Sequence, residues 1–353
     1  MNMRCTLIKS HSKTCLSIRI TRKIITLVSV AMLALMSGTA VAESKTLCVF
    51  DPIGSNGPLY VQMKDYATAA LAWGVEFSMK PYTDERIASE DFKSGLCDAV
   101  SVTGIRGRQF NPFVGSIDSV GALPNYDLLR STVKTLSSVK AARLMKAGDY
   151  EVAGIFPGGA VYLFVNDRSI NNVASMSGKR IAILDYDAAQ IEIVKSVGAS
   201  SVGSSIANMY SKFNNGSVDI AYGPGIMYEA MELYKGMEPN GGIIRFALAQ
   251  LTIQVLIRSA EFPESYGQQS RDYVFSRFDH GTKILMNAEK KIPAKWWYDI
   301  NDTDIANYIE MFRMTRIRLR DAGIYDGKMM TVLRKIRCRK NPENSECTAA
   351  NKE

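Results

Sequence analysis

The chain has 353 residues, 46% of them hydrophobic and 22% charged, which is enough for a large core at a size where chains commonly divide into two domains. Its formal charge of +8 sits mostly at one end: six of the 43 basic residues and none of the 35 acidic ones precede Glu43. The remainder carries 37 basic against 35 acidic residues, a net of +2, which excludes bulk attraction for nucleic acid.

Arg4, Lys9, Lys13, Arg19, Arg22 and Lys23 precede an apolar run from Ile24 to Met36. Ser37-Gly38-Thr39 interrupt that run, and Ala40-Val41-Ala42 then give the small-x-small pattern of a signal-peptidase site. The run falls short of the roughly 20 apolar residues that span a bilayer, so residues 1–42 read as a signal peptide cut after Ala42. Glu43, and not a cysteine, follows the cut, which argues against a lipid anchor. No later stretch is apolar enough to cross a membrane.

A strand is expected over Thr46 to Phe50, running into Asp51-Pro52-Ile53-Gly54-Ser55-Asn56-Gly57, and then a helix from Pro58 to Trp73 with Tyr60, Met63, Tyr66, Ala67 and Ala70 at helical spacing. An alternating strand around Val75 to Met79, a helix from about Asp84 to Lys93 and a strand from Asp98 to Val102 complete a β-α-β-α-β unit. Such alternation implies a parallel sheet with right-handed crossovers, whose ligands lie at the carboxyl ends of the strands. The loop from Asp51 to Gly57 and the loop from Thr103 to Gln109 are therefore candidate binding loops.

Four cysteines remain beyond the leader, and spacing favours Cys48 with Cys97 and Cys338 with Cys347 among three possible pairings. On the loop-entropy scale the bridges contribute about 4 and about 3 kcal/mol. A zinc site has little support, because there is no C-x-x-C spacing and His280 is the one histidine left.

Strands are expected over Tyr150 to Phe156 and Ala160 to Val165, separated by Pro157-Gly158-Gly159 as a crossing point between lobes. Strand Arg180 to Leu184, helix Ala188 to Val197, helix Ile206 to Phe213 and strand Val218 to Tyr222 repeat the β-α-β grammar. Strands near Gly242 to Phe246 and Leu251 to Arg258 return the chain, and from Pro263 onward nearly everything reads as helix. Two α/β lobes with a helical tail make a hinged clamp.

Ser177-Gly178-Lys179-Arg180-Ile181, Val197-Gly198-Ala199, Asn208-Met209-Tyr210 and Asn215-Gly216-Ser217-Val218-Asp219 together resemble the extracytoplasmic solute receptors of TRAP-type transporters, in the branch that includes the AdeT solute-binding proteins. The resemblance implies an α/β, two-lobe periplasmic-binding-protein fold of type II character, with a hinge and a C-terminal helical tail. Lobe I is expected over 43–157 and 251–353, and lobe II over 158–250. The implied function is periplasmic capture of a small solute in an interlobe cleft for a membrane transporter. The AdeT branch has also been described as part of aminoglycoside efflux, so an accessory or adaptor role in multidrug efflux is the alternative. Ordinary receptors of this kind grip a carboxylate with a lobe-II arginine; here Ala182 stands at that place. Arg180, two residues earlier, either substitutes after a register shift or is a solvated strand entrance.

Candidate ligand-binding residues are Asp51, Asn56, Thr103 and Arg106 from the first lobe and Asp185, Tyr186 and Tyr222 from the second. Gly104 and Gly107 flank Arg106 and let backbone approach a ligand. Asp51 and Asn56 have helix capping as the plainer role. Acidic residues beside Tyr186 suit a cation, and the tyrosines suit an aromatic or amphipathic molecule. Catalysis has little support: Ser-His or Cys-His chemistry would need His280, and Ser131-x-x-Lys134 and Ser137-x-x-Lys140 lack the accompanying penicillin-enzyme motifs. No cofactor is expected. The basic residues between Arg313 and Lys340 read as a solvated helical face, and Trp296 and Trp297 as pins holding the tail to the first lobe.

Overall fold

Short apolar runs closed by Asp, Gly or Pro become the strands of one mixed sheet in the computed structural model, which describes residues 43–353. The leader and its cleavage point lie outside the described residues. The strands are β1 (Glu43–Phe50), β2 (Val75–Tyr82), β3 (Ala99–Thr103), β4 (Lys146–Ala147), β5 (Tyr150–Val165), β6 (Arg180–Leu184), β7 (Ser200–Ser204), β8 (Ile220–Pro224), β9 (Gly242–Ile244), β10 (Ala249–Arg258) and β11 (Trp297–Tyr298). Along the main path the order is β2-β1-β3-β10-β5-β8-β6-β7. β2-β1-β3 and β8-β6-β7 are parallel triplets, and β10 and β5 run antiparallel between them.

The expected β-α-β-α-β unit is present, with α1 (Pro58–Ala70) and α2 (Glu85–Ser94) as its crossovers. α1 starts on Pro58, whose fixed φ suits a first helical turn, and buries Tyr60, Met63, Tyr66 and Ala70. Asp84 caps α2 by accepting the Arg86 N–H at 2.8 Å. The remaining longer helices are α3 (Tyr126–Ser137), α4 (Ala188–Ser196), α5 (Ile206–Asn214), α6 (Tyr266–Ser276), α7 (Phe278–Lys291), α8 (Asp302–Asp321) and α9 (Gly327–Lys340).

Two strands differ from expectation. Pro157-Gly158-Gly159 does not separate two strands: β5 runs 16 residues, with a register shift against β10 at Leu251/Thr252 that absorbs Gly158. A bulge takes up one residue without leaving the sheet. Gly159 has φ +117°, where an added Cβ would meet Pro224 at 2.6 Å. β7 was not expected, because Ser-Ser-Val-Gly-Ser has no apolar run; it is an edge strand held by β6 alone.

The tail also departs from its reading. Trp296 is buried with Phe164, Met209 and Phe213, and Trp297 meets Tyr162 edge-on at 5.0 Å, so both pack on the second half of the sheet. The cause is the pairing of β11 with β9. α8 sends Tyr308 and Phe312 against Val165, Ile181 and Ile183, while α9 buries Met329, Met330 and Leu333 among residues of the first half such as Val100 and Leu129. Arg316 and Arg337 are not on a solvated face: both are buried and bonded to Glu353, and Arg337 forks onto Glu346 at 2.7 and 2.6 Å.

Both expected disulfides are formed. Cys48–Cys97 joins the middle of β1 to the turn before β3, two elements that are also neighbours in the sheet. Replacing both by alanine should cost about 4 kcal/mol in a urea melt; a loss below about 1 kcal/mol would show that the bridge constrains little.

Candidate functional site

The loops after β1 and β3 face the loops after β6 and β8 across the crossing of β5 and β10. A cavity of about 340 Å³ lies there, walled by Phe50, Leu59 and Phe156 on one side and by Ile206, Tyr210 and Pro224 on the other. A second cavity of about 160 Å³ shares Thr103, Tyr210, Pro224 and Leu251 with it and continues toward Asp118, Tyr222 and Tyr308.

Three of the candidate residues meet. Thr103 starts the short helical turn Gly104–Gly107, its hydroxyl oxygen accepting the Arg106 N–H at 3.2 Å. Arg106 is buried, and the ring of Tyr186 from the opposite loop covers its guanidinium at 3.3 Å. Glu85, at the start of α2, joins them: it accepts the Thr103 hydroxyl at 2.9 Å and the Tyr186 hydroxyl, and its Oε1 lies 3.7 Å from Arg106 Nε. The Arg106 Nε–H has no hydrogen-bond partner among the described residues, so Glu85 acts on it as a counter-ion without a hydrogen bond. Burial pushes the Glu85 carboxyl up, while Tyr186 and Arg106 pull it down. Burial and the Glu85 charge hold the Tyr186 hydroxyl well above its ordinary range, so it remains a donor. A second contact crosses beside this one, Arg108 donating to Asp187 at 3.0 Å.

The other candidates lie apart from this cluster. Asp51 is fully buried and spends its carboxylate on backbone, accepting the N–H groups of Ile53, Leu59 and Tyr60 at 2.8 to 3.0 Å. It fixes the loop and caps α1. Asn56 is exposed on the same loop, and Asp185 is exposed at the end of β6. Tyr222 lines the smaller cavity and donates its hydroxyl to Gln190. Arg180 opens β6 at its amino end and pairs with Asp219 at 2.7 Å, while Ala182 is buried with Phe164 and Leu184. Sequence reasoning missed Glu85, because an acidic residue beside the capping Asp84 reads as ordinary helix-start chemistry. It also passed over Ile206 and Tyr210, whose spacing looks like any amphipathic helix.

Asp118 borders the smaller cavity, accepts the Thr252 hydroxyl at 2.6 Å and its N–H at 3.1 Å, and is raised by burial to about 7. An unfolded aspartate titrates near 4, so between roughly pH 4 and 7 the folded protein keeps a proton that the unfolded chain has lost. Stability therefore falls as pH rises through that window, and the loss is complete above it. Asp118→Asn should reduce the slope of stability against pH there and be the more stable form at pH 8. Identical slopes in the two proteins would rule Asp118 out as the source.

The sequence profile of a family described as Solute-binding protein AdeT 1/2 matches residues 68–352. The chain belongs to the AdeT 1/2 solute-binding protein family. Among its relatives, the probable solute-binding protein AdeT1 of Acinetobacter baumannii is 46% identical over 299 residues, covering 85% of this chain and 98% of the relative. The probable solute-binding protein AdeT2 of the same organism is 26% identical, covering 66% of this chain and 98% of the relative. The two-lobe fold is that of TRAP periplasmic solute-binding proteins. One from Desulfovibrio salexigens, solved with orotic acid, superposes with TM-score 0.68 at 17% identity over 84% of this chain and 99% of that one. One from Rhodoferax ferrireducens, solved with malonate, gives 0.68 at 12% identity over 84% and 98%. In this AdeT 1/2 family member the two loops that carry Arg106 and Tyr186 are in contact, and the cavities lie on apolar wall to either side of Thr103.

Proposed function

We propose that this protein is a periplasmic solute receptor, exported by a leader cut after Ala42, which closes two lobes over a small molecule and presents the closed form to a membrane transporter. The lobes in this reading are 43–157 with 251–353, and 158–250, with α8 lying across both. The observation that carries it is the 340 Å³ cavity where strand-end loops from the two halves converge. A cavity of this size suits a small solute, and a position at the carboxyl ends of parallel strands is where α/β sheets bind ligands. The bound orotic acid and malonate of the structural relatives support the same class of function.

In this reading Arg106, Tyr186 and Glu85 are the latch that holds the lobes together, Thr103 and Tyr222 border the solute, Asp51 holds its loop, and Asn56 and Asp185 are exposed polar groups at the strand ends. A guanidinium stacked on an aromatic ring contributes about 0.5 to 2 kcal/mol, enough to bias closure without locking it.

Protein purified from its own periplasm should begin at Glu43 in native mass spectrometry and carry one co-purified small molecule. Removing that molecule should raise the radius of gyration, and restoring it should lower it again. A radius that does not change with saturating ligand would sink the clamp mechanism.

A further inference from the structure

The cleft is built for a different chemistry from that of the organic acids bound to the solved proteins of this fold. Its walls are hydrocarbon and aromatic, with Phe50, Phe156 and Leu285 buried, Ile206 half-buried and Ile284 at the open edge. The charged residues that border it, Asp65 and Arg277, are exposed at the rim and of opposite sign, and His280 is exposed beside them. Solvent screens charges in such a position.

The arginines behind the cleft walls are already engaged, which leaves Arg277 at the solvent-screened rim as the one among the described residues that borders the cavity. Arg106 lies outside the cavity wall, under Tyr186 and with Glu85 as counter-ion; Arg108 is held by Asp187, and Arg180 by Asp219 at the other end of its strand. An entering carboxylate would either give up its water against apolar walls or share the Arg106 guanidinium with a carboxylate the protein itself supplies. Both are unfavourable.

The hydroxyl of Tyr210, which borders both cavities, has no protein partner among the described residues, and neither has that of Tyr308, which borders the smaller one. Tyr210 is 5% exposed. Burial raises its pKa, so it stays protonated and can give or take one hydrogen bond. A hydroxyl that borders a cavity and has no protein partner is open to one matching group on a ligand.

We infer that the cleft takes an uncharged, mainly apolar small molecule with a single hydrogen-bonding group, which Tyr210 recognises. The inference rests on the reading of the cleft as the solute site. Glu85 then serves a selective purpose, since it neutralises Arg106 from within and removes the reward for binding an anion.

The test uses N-phenyl-1-naphthylamine, an uncharged aromatic amine with one N–H whose fluorescence rises in apolar surroundings, against the exported protein freed of resident ligand. The probe should bind saturably at one site. Tyr210→Phe should weaken it about threefold to tenfold, the range for one hydrogen bond. Ile284→Lys, an exposed change that leaves folding intact, should weaken it about tenfold. Malonate, galacturonate and orotate at millimolar concentration should neither displace the probe nor alter the radius of gyration. Displacement and closure by one of these anions would overturn the ligand class and leave the receptor reading standing. Probe binding that is unsaturable, or unchanged in both variants, would overturn the inference, and the mass of the co-purified molecule would then decide the receptor reading on its own.

Discussion

Arg337→Met should lower the stability of the protein by about 3 to 5 kcal/mol, whereas Arg339→Met, two residues along the same helix and exposed, should stay within about 0.5 kcal/mol. Arg337 is buried, forks onto Glu346, reaches Glu353 with a second bond at 2.8 Å and donates to the Ala122 carbonyl at 2.9 Å. Methionine fills similar volume, so packing is largely kept and the charge alone is removed. Two buried carboxylates are then left with Arg316, whose own bonds go to Glu353 and the Val120 carbonyl. An uncompensated buried charge is the expensive result, not the loss of an ion pair as such. Urea melts of the two variants measure the difference, and a loss below about 1 kcal/mol for Arg337→Met would mean that the network is solvated in solution.

Glu85→Ala removes the group on which the interlobe contact converges. Thr103 loses its acceptor, Tyr186 loses the partner of its hydroxyl, and Arg106 is left buried with no counter-ion. If the lobes stay together, the cost is about 3 to 5 kcal/mol, the range for stranding a buried charge. If they part, Arg106 regains water and the cost appears as expansion. The expected result is therefore either a lower urea midpoint or a larger radius of gyration by small-angle scattering. Tyr186→Phe, which keeps the ring over Arg106 and removes one bond, should cost about 1.5 to 3 kcal/mol or less and leave the radius nearly unchanged. A Glu85→Ala protein with unaltered midpoint and radius would show that the contact carries no energy.

The alternating elements from β1 to β3 were legible because each apolar run is fenced by residues with one plain backbone role, such as Asp51-Pro52, Asp84 and Gly95. β7 was not legible, since small polar residues at a sheet edge give no periodic signal. The join in β5 was misread for the opposite reason: Pro and Gly announce a break, yet a bulge opposite Leu251 and Thr252 lets the strand continue. The cysteine pairs were readable from spacing. Arg316 and Arg337 were not, because their partners lie 37 and 9 residues away in sequence and only the folded tail brings them together.

The site was half legible by the same logic. Strand-end loops pointed to Thr103, Arg106 and Tyr186, and all three lie at the interface of the two halves. What sequence could not supply was the direction each charge faces. Arg106 and Glu85 are 21 positions apart and belong to different elements, so only the sheet shows that the protein answers that positive charge itself. Nor could sequence show that the Asp51 carboxylate accepts from Ile53 in its own loop and from Leu59 and Tyr60 in the first turn of α1.

The two strands that pass between the halves, β5 and β10, are bonded to each other along ten paired positions from Ala249 to Arg258. They behave mechanically as a leaf spring and not as a pair of loose tethers: sliding would break the ladder, whereas a bend or twist at the bulge preserves it. Any swing of one half against the other is thereby confined to a narrow arc. A membrane partner that must tell a loaded molecule from an empty one would be presented with a single angle to gauge.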